Sequence, residues 1–362
     1  MDYKQYLKYL LIQSTYFVPF LSKKTIFVSI LNKNNITGPG RFLYNLEKGL
    51  LKYKLFLERR LLSKCGSVLI ISSAPPSFLN FCKKRKIRTV LRVDGFSLPF
   101  LYDNKDHVNR EKRIFTPQRI KTNQEMQIGL LKSDFVIYQS YFSKTIADEY
   151  LFTRVNEYSI INNGVDTNFF KPVPKKNPGE LILGIYGTLR DIDIVRTGLE
   201  AFLLYQSKNP ETKIHLIGTM TREVECFVDN WVNKNQGIFG KVIITGTVHL
   251  ERLPSILGEL DISLHLTFGD ACPNAVLENL SCSNPVICVE WGGASELICD
   301  AGISIDQPKY AYDYELVEKV AEGIKIIREN LEHYSNKARD LAVNKYSLEI
   351  MVEKYKNVLE KL

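Results

Sequence analysis

One stretch limits the fold more than any other. From Leu264 to Glu296 the chain reads LHLTFGDACPNAVLENLSCSNPVICVEWGGASE. The apolar run Ile262 to Leu266, after Asp261, predicts a buried strand. Gly269-Asp270 forms a tight corner. Pro273 suits the first turn of a helix, where its fixed φ fits and its missing N–H is no loss. Ala275, Val276, Leu277 and Leu280 carry that helix onward, Pro285 to Val289 predicts a second buried strand, and Gly292-Gly293 opens a loop. Strand–loop–helix–strand–loop is the unit of a parallel α/β sheet. Such sheets bind ligands at the carboxyl ends of their strands, where both of these polar loops fall.

Two carboxylates frame the helix. Asp270 stands at its mouth and Glu278 eight residues on, a little over two turns, so both side chains point roughly the same way. Between them lie first-turn N–H groups suited to an anion such as a diphosphate. The layout suits a nucleotide sugar, with phosphate at the helix start and one acid to each sugar. An N-cap Asp and a surface Glu on an amphipathic helix account for the same residues. Both readings are open at this point.

The stretch resembles the acid–x7–acid signature of family four glycosyltransferases. Glu278, Pro285-Val286 and the Gly292-Gly293 to Glu296 loop match it. The family usually has Glu then Gly-Phe-Gly, where this chain has Asp270 then Ala271-Cys272-Pro273. The resemblance implies an α/β GT-B fold: two Rossmann-like domains facing across a cleft, with a C-terminal helix returning to the first domain. It also implies that Glu278 holds a nucleotide ribose and that Asp270 orients the transferred sugar. The N–H groups of Asn274 and Ala275 would hold the distal phosphate beside Gly292 and Gly293. The implied reaction is sugar transfer with retention from a nucleotide-diphosphate donor, which serves as co-substrate with no further cofactor and no metal.

Other segments extend the resemblance over most of residues 25 to 362. The run SDFVIYQSYFSK…INNGVDTNFFKP follows the family's order over some forty residues. Gly38 and Gly40, after the first strand (Thr25 to Leu31) and before a helix from Phe42 to about Lys54, resemble the family's glycine loop and join the donor-binding set. A lone GxG is a weak signal, and a plain turn is the simpler account of it. An LRVDG stretch puts Asp94 at the carboxyl edge of a strand, as a catalytic candidate or as half of a structural Arg–Asp pair. It resembles enzymes of polysaccharide assembly. The main departure follows the strand Leu181 to Tyr186. The family's Arg and Lys, which grip the diphosphate, are Thr188 and Asp193 here. Arg190 or Arg196 can substitute, because guanidinium forks pair well with phosphate. Asp191 and Asp193 form a DxD, too short a pattern to argue for a metal.

Composition adds bounds. The 362 residues are 45% apolar and 24% charged, enough for two domains with their own cores. The net charge of +8 favours anionic partners, but no nucleic-acid recognition motif accompanies it. Seven Cys without CxxC spacing argue for reduced thiols in a cytosolic compartment rather than a disulfide or zinc framework, with Cys272 read as a packing residue. No cleavable signal peptide is evident, and Tyr9 to Leu21 is too short and polar to span a bilayer. Residues 1 to 24 interleave Lys with Tyr and Phe, which suits an amphipathic extension at a membrane interface or a packed helix. The basic run FCKKRKIR reads as a solvated helix end or a patch for anionic lipid.

The expected layout is therefore an extension over residues 1–24, an acceptor domain over 25–170 and a Pro- and Lys-rich linker over 171–179. A nucleotide-sugar domain over 180–340 and a final helix over 341–362 complete it. Residues 102 to 127 read as a long polar loop or lid facing an acceptor. The expected partners are a nucleotide sugar and a glycan or lipid-linked acceptor, in the cytoplasm or at the inner face of a membrane. A non-catalytic nucleotide-sugar-binding subunit and a nucleotide-sugar epimerase are the alternatives.

Overall fold

The structure is a computed structural model, and it describes residues 25–29, 38–58, 66–95, 117–155, 157–175, 179–307 and 312–361. The chain divides into two compact units, one of residues 1–162 with 348–362 and one of residues 163–347. The extension over 1–24, the segment 102–116 and part of the proposed linker lie outside the described residues.

Among its described residues the first unit holds six parallel strands: β1 (Thr25–Ser29), β2 (Phe56–Glu58), β3 (Ser67–Ile71), β4 (Arg88–Arg92), β5 (Phe135–Tyr138) and β6 (Tyr158–Ile160). Their order is β2-β1-β3-β4-β5-β6. The strands are apolar on both faces, as parallel strands covered by helices must be. Leu69, Ile71, Val90 and Ile137 feed one core, and Val68, Ile70, Leu91 and Val136 feed the other.

The last helix, Leu348–Lys361, belongs to this unit and packs on the Gly38–Leu50 helix. Met351, Val352, Tyr355, Val358 and Leu359 form its buried stripe. Gly49 lets the two helices approach closely, since a Cβ there would lie 2.3 Å from a methyl of Val352. The Phe42 and Tyr355 rings meet at 5.1 Å.

Several expectations change here. Gly38 and Gly40 are not a loop before a helix from Phe42; they lie in the first turn of a helix that starts at Gly38. Pro39 between them fits that turn because it needs no N–H partner there. Residues 117–127, read as part of a lid, belong to the helix Pro117–Lys132. Lys83 and Lys84 close the Pro76–Lys84 helix, where cations meet the negative end of the helix dipole.

The second unit repeats the architecture with β7 (Leu181–Tyr186), β8 (Thr212–Ile217), β9 (Val242–Gly246), β10 (Ile262–His265), β11 (Val286–Val289) and β12 (Gly302–Ile305). All pairs are parallel, in the order β12-β11-β10-β7-β8-β9. From β7, successive strands run one way to β9, and the chain then returns to lay β10 on the other side of β7. The switch point is therefore between β7 and β10, where an open α/β sheet binds its ligand.

The chain enters this unit at Asn163, eight residues before the expected linker. Arg339 explains the shift. It donates to the carbonyls of Thr167 at 3.0 Å, Phe170 at 3.1 Å and Ser281 at 2.6 Å, fastening residues 167–170 to the second sheet's helices. Lys175, within the expected linker, pairs with Asp261 at 3.2 Å. The helix Leu331–Lys345 follows a break at Asn330, supplies Arg339 and takes residues 341–345, which were expected in the final helix; that helix starts only at Leu348.

At the edge of the second sheet two backbones nearly touch. Gly218, at φ 120°, follows β8, and a Cβ on it would lie 1.8 Å from the carbonyl oxygen of Gly187. Neither that conformation nor that space admits a side chain. Gly218→Ala is expected to cost about 3 kcal/mol, read as a lower urea midpoint with an unchanged slope.

Candidate functional site

The βα loops after β10 and β11 are zipped together by backbone. The N–H of Gly269 donates to the carbonyl of Trp291 at 2.8 Å, and the N–H of Gly293 donates to the carbonyl of Asp270 at 2.7 Å. Asp270 and the Gly292-Gly293 loop, 22 residues apart in sequence, thereby become one rim. Gly293 opens the short helix Gly293–Ile298.

The acid–x7–acid segment forms the helix Asn274–Ser281, with Pro273 as its N-cap residue and no side chain capping it. Its first-turn donors, including those of Asn274 and Ala275, thus stand at the rim uncapped by any side chain, the condition for holding an anion. Val276, Leu277 and Leu280 seat the helix on one face of the sheet.

Asn163, from the Asn-Gly-Val-Asp run, locks this helix start. Its side-chain amide donates to the carbonyl of Cys272 and to Oδ1 of Asn274, both at 3.0 Å. Its backbone N–H reaches Sγ of Cys272 at 3.3 Å. Cys272 is buried in the core, as a packing residue should be.

The two carboxylates occupy different environments. Glu278 is 3% exposed, and its Oε2 accepts the hydroxyl of Tyr186 at 2.7 Å. It is not a surface residue on an amphipathic helix. Asp270 is half-buried, and its Oδ1 accepts the N–H of Cys272 at 3.1 Å. Burial pushes the Asp270 carboxyl up from its ordinary value, against the pull of His265 and the Cys272 N–H. Burial also holds His265 below its ordinary value, against the pull of Asp270. His265 ends β10, and among the described residues its Nε2 is buried without a hydrogen-bond partner.

The basic candidates separate. Arg190 is exposed and forms no ion pair among the described residues. Arg196 is already engaged, with Asp193 at 3.2 Å and over the Phe227 ring at 5.3 Å. Asp191 caps the helix Ile192–Gln206 by accepting from the N–H of Asp193 at 3.0 Å. The DxD is thus a helix start. Among the described residues no group of three His, Cys, Asp or Glu is placed to hold a metal ion.

Gly38, Gly40 and Asp94 belong to the first unit. Asp94 is 7% exposed, with Oδ1 taking Arg92 and the Gln139 amide at 3.0 Å, and Oδ2 taking the Ser72 hydroxyl. Arg92 also lies over the Phe42 ring at 3.8 Å. Of its two readings, the buried pair is the one the geometry supports, because both carboxylate oxygens already serve to tie β3, β4 and β5 together. The second unit by itself gathers Asp270, Asn274, Ala275, Glu278, Gly292 and Gly293.

Three residues of this site escaped sequence reasoning. Asn163 was visible only as part of a family run. Tyr186 read as the end of a strand and His265 as part of an apolar one. Alternation along β7 is the signal that places Tyr186 on the same face as Ile182, toward the Glu278 helix.

Residues 180–327 match the family model described as Glycosyl transferases group 1. The matched stretch is similar to a group 1 glycosyltransferase domain. That stretch coincides with the strands and loops that build the site, and the match agrees with the family four resemblance read from the motifs. Anabaena HepE, solved with UDP and glucose, is similar over 94% of this chain and 100% of its own, at 13% identity and a TM-score of 0.65. Sucrose-phosphate synthase from Thermosynechococcus elongatus covers 93% and 98%, at 11% and 0.65. A glycosyltransferase from Rickettsia africae covers 94% and 99%, at 17% and 0.66. These likenesses show the GT-B fold. A comparison with curated protein sequences found no match.

The raised carboxyl makes a signed prediction. Held away from water, the half-buried Asp270 carboxyl favours its proton in the fold, so it costs stability once the pH rises above the unfolded carboxylate value of about 3.9. Asp270→Asn keeps the acceptor for Cys272 and removes the charge. It is expected to raise the melting temperature at neutral pH, with the gain vanishing below about pH 4. Melting curves of both proteins across that range check this.

Proposed function

We propose that the protein transfers a sugar, with retention, from a nucleotide-diphosphate donor to a glycan or lipid-linked acceptor in surface polysaccharide or glycolipid synthesis. The observation that carries this reading is the acid–x7–acid segment at the β7/β10 switch point, with Asp270 at the mouth of an uncapped helix and Glu278 two turns along it. In this reading Glu278 holds the ribose, and Asp270 orients the sugar. The N–H groups of Asn274 and Ala275 hold the distal phosphate beside Gly292 and Gly293. Arg190 supplies the cation that Thr188 and Asp193 lack, while Arg196 stays with Asp193. Gly38 and Gly40, at the positive end of their helix, are assigned to the same donor. Asp94 is assigned a bracing role. Catalysis then consists mainly of positioning both substrates and stabilising the leaving diphosphate. UDP bound to HepE supports trying uridine nucleotides first.

The loss of the family's basic pair favours one second reading, a subunit that binds donor without turnover. Incubation with nucleotide sugar and a panel of acceptors separates the two, since only an enzyme releases nucleoside diphosphate.

For location, we propose the cytoplasm, with contact at the inner face of a membrane. No helix among the described residues is long and apolar enough to cross a bilayer. Lys83, Lys84, Arg85 and Lys86 form an exposed basic turn, each worth about 1 kcal/mol near an anionic surface. Replacing all four by Gln is expected to abolish cosedimentation with phosphatidylserine vesicles at low salt.

Calorimetric titration with UDP and GDP tests the donor site. One of the two is expected to bind, and Arg190→Ala and Glu278→Ala are each expected to weaken it about tenfold, the worth of one charge-assisted hydrogen bond. Absence of binding by either nucleotide would overturn the donor assignment.

A further inference from the structure

We infer that Tyr186 is a positioning residue for the nucleoside part of the donor, acting through Glu278. This rests on the reading of Glu278 as the ribose-binding carboxylate. Along β7, Leu181, Leu183 and Ile185 enter one core while Ile182 and Tyr186 pack against the other. Gly184 lies between them on that second face. A Cβ there would be 2.3 Å from a methyl of Leu260, so the strand carries glycine where Leu260 presses on it. The next side chain on this face is Tyr186, the last residue of β7, at the switch point. It meets the second turn of the Asn274–Ser281 helix, and its hydroxyl donates to Glu278 Oε2 at 2.7 Å across 92 residues of sequence.

The physical consequences concern burial and orientation. A carboxylate as buried as Glu278 needs hydrogen-bond donors in place of water, and the Tyr186 phenol supplies one. Glu also has three side-chain torsions to fix before it can meet a ligand in one geometry. The bond from Tyr186 fixes the carboxylate plane from the strand side, as a supporting contact behind a binding group. A ribose offers a vicinal pair of hydroxyls, and a carboxylate held in one plane distinguishes two donors from one. Tyr186 therefore contributes to preference for ribose over 2′-deoxyribose without touching the sugar. Phenylalanine keeps the ring packed on the core and removes only the donor.

The test is calorimetric titration of UDP, GDP and their 2′-deoxy counterparts into wild type, Tyr186→Phe, Glu278→Ala and the double variant, with Glu278→Gln replacing Glu278→Ala should the latter not fold. Wild type is expected to prefer the ribonucleotide. Tyr186→Phe should weaken that ribonucleotide about five- to tenfold, less than the loss of one direct hydrogen bond to a charged group because Tyr186 acts through Glu278, and leave the deoxynucleotide nearly unchanged. In the Glu278-substituted background Tyr186→Phe should add nothing, since the two act as one unit. The inference is overturned if Glu278→Ala weakens binding while Tyr186→Phe binds as wild type, or if Tyr186→Phe weakens ribo and deoxy forms equally. If wild type binds none of the four, the donor reading itself fails and the inference falls with it.

Discussion

Every strand pair in the two sheets is parallel, and much of the molecule follows from that pairing. A parallel pair cannot be closed by a hairpin, so each strand must be followed by a crossover, usually a helix. The crossovers cover both faces and demand strands that are apolar throughout, which is how the two cores of each unit arise. They also bring every loop that leaves a strand to the same edge. Chemistry written in loops far apart in sequence is therefore collected along one line, and the reversal of strand order beside β7 opens a crevice on that line.

What is collected there is costly to keep folded. Glu278 is buried beside Val276, Leu277 and Leu280, and Asp270 is held with its carboxyl pushed upward beside a His265 nitrogen that has no hydrogen-bond partner among the described residues. Buried carboxylates destabilise a fold unless donors meet them. Tyr186 supplies one to Glu278 and the Cys272 backbone supplies one to Asp270. Cohesion comes from the surroundings: the Asn163 amide at the helix start, the paired backbones of the two rim loops, and Arg339 beneath them. A rigid frame of this kind is organised before any ligand arrives, which lowers the cost of binding one.

Legibility differed with the range of the interaction involved. The central unit, the strand β7, the place of Pro273 at a helix start and the existence of a final helix could be read locally, since alternation, apolar runs and proline geometry depend only on near neighbours. The acids Asp270 and Glu278 and the Gly292-Gly293 loop were legible as a motif. The extent of the Gly38–Leu50 helix was misjudged because two glycines suggested a loop, whereas Pro39 fits a first turn. The entry to the second unit was misplaced because a Pro- and Lys-rich composition marks a linker only when no distant residue claims the segment before it. Arg339, more than 160 residues away, claims it.

By itself, then, the sequence determined the class of fold, the crossover units and the residue types offered to a ligand, because these follow from local periodicity and from the fixed direction of strand-to-helix turns. Only the tertiary structure decided how each offered group is held. It withdrew Asp94 into a buried pair, tied Arg196 to Asp193 and turned the DxD into a helix cap. It brought Asn163 and Tyr186, each separated from its partner by roughly a hundred residues, to the start and the second turn of one helix. Those outcomes rest on side-chain distances of about 3 Å, and no local pattern encodes a distance between residues so far apart along the chain.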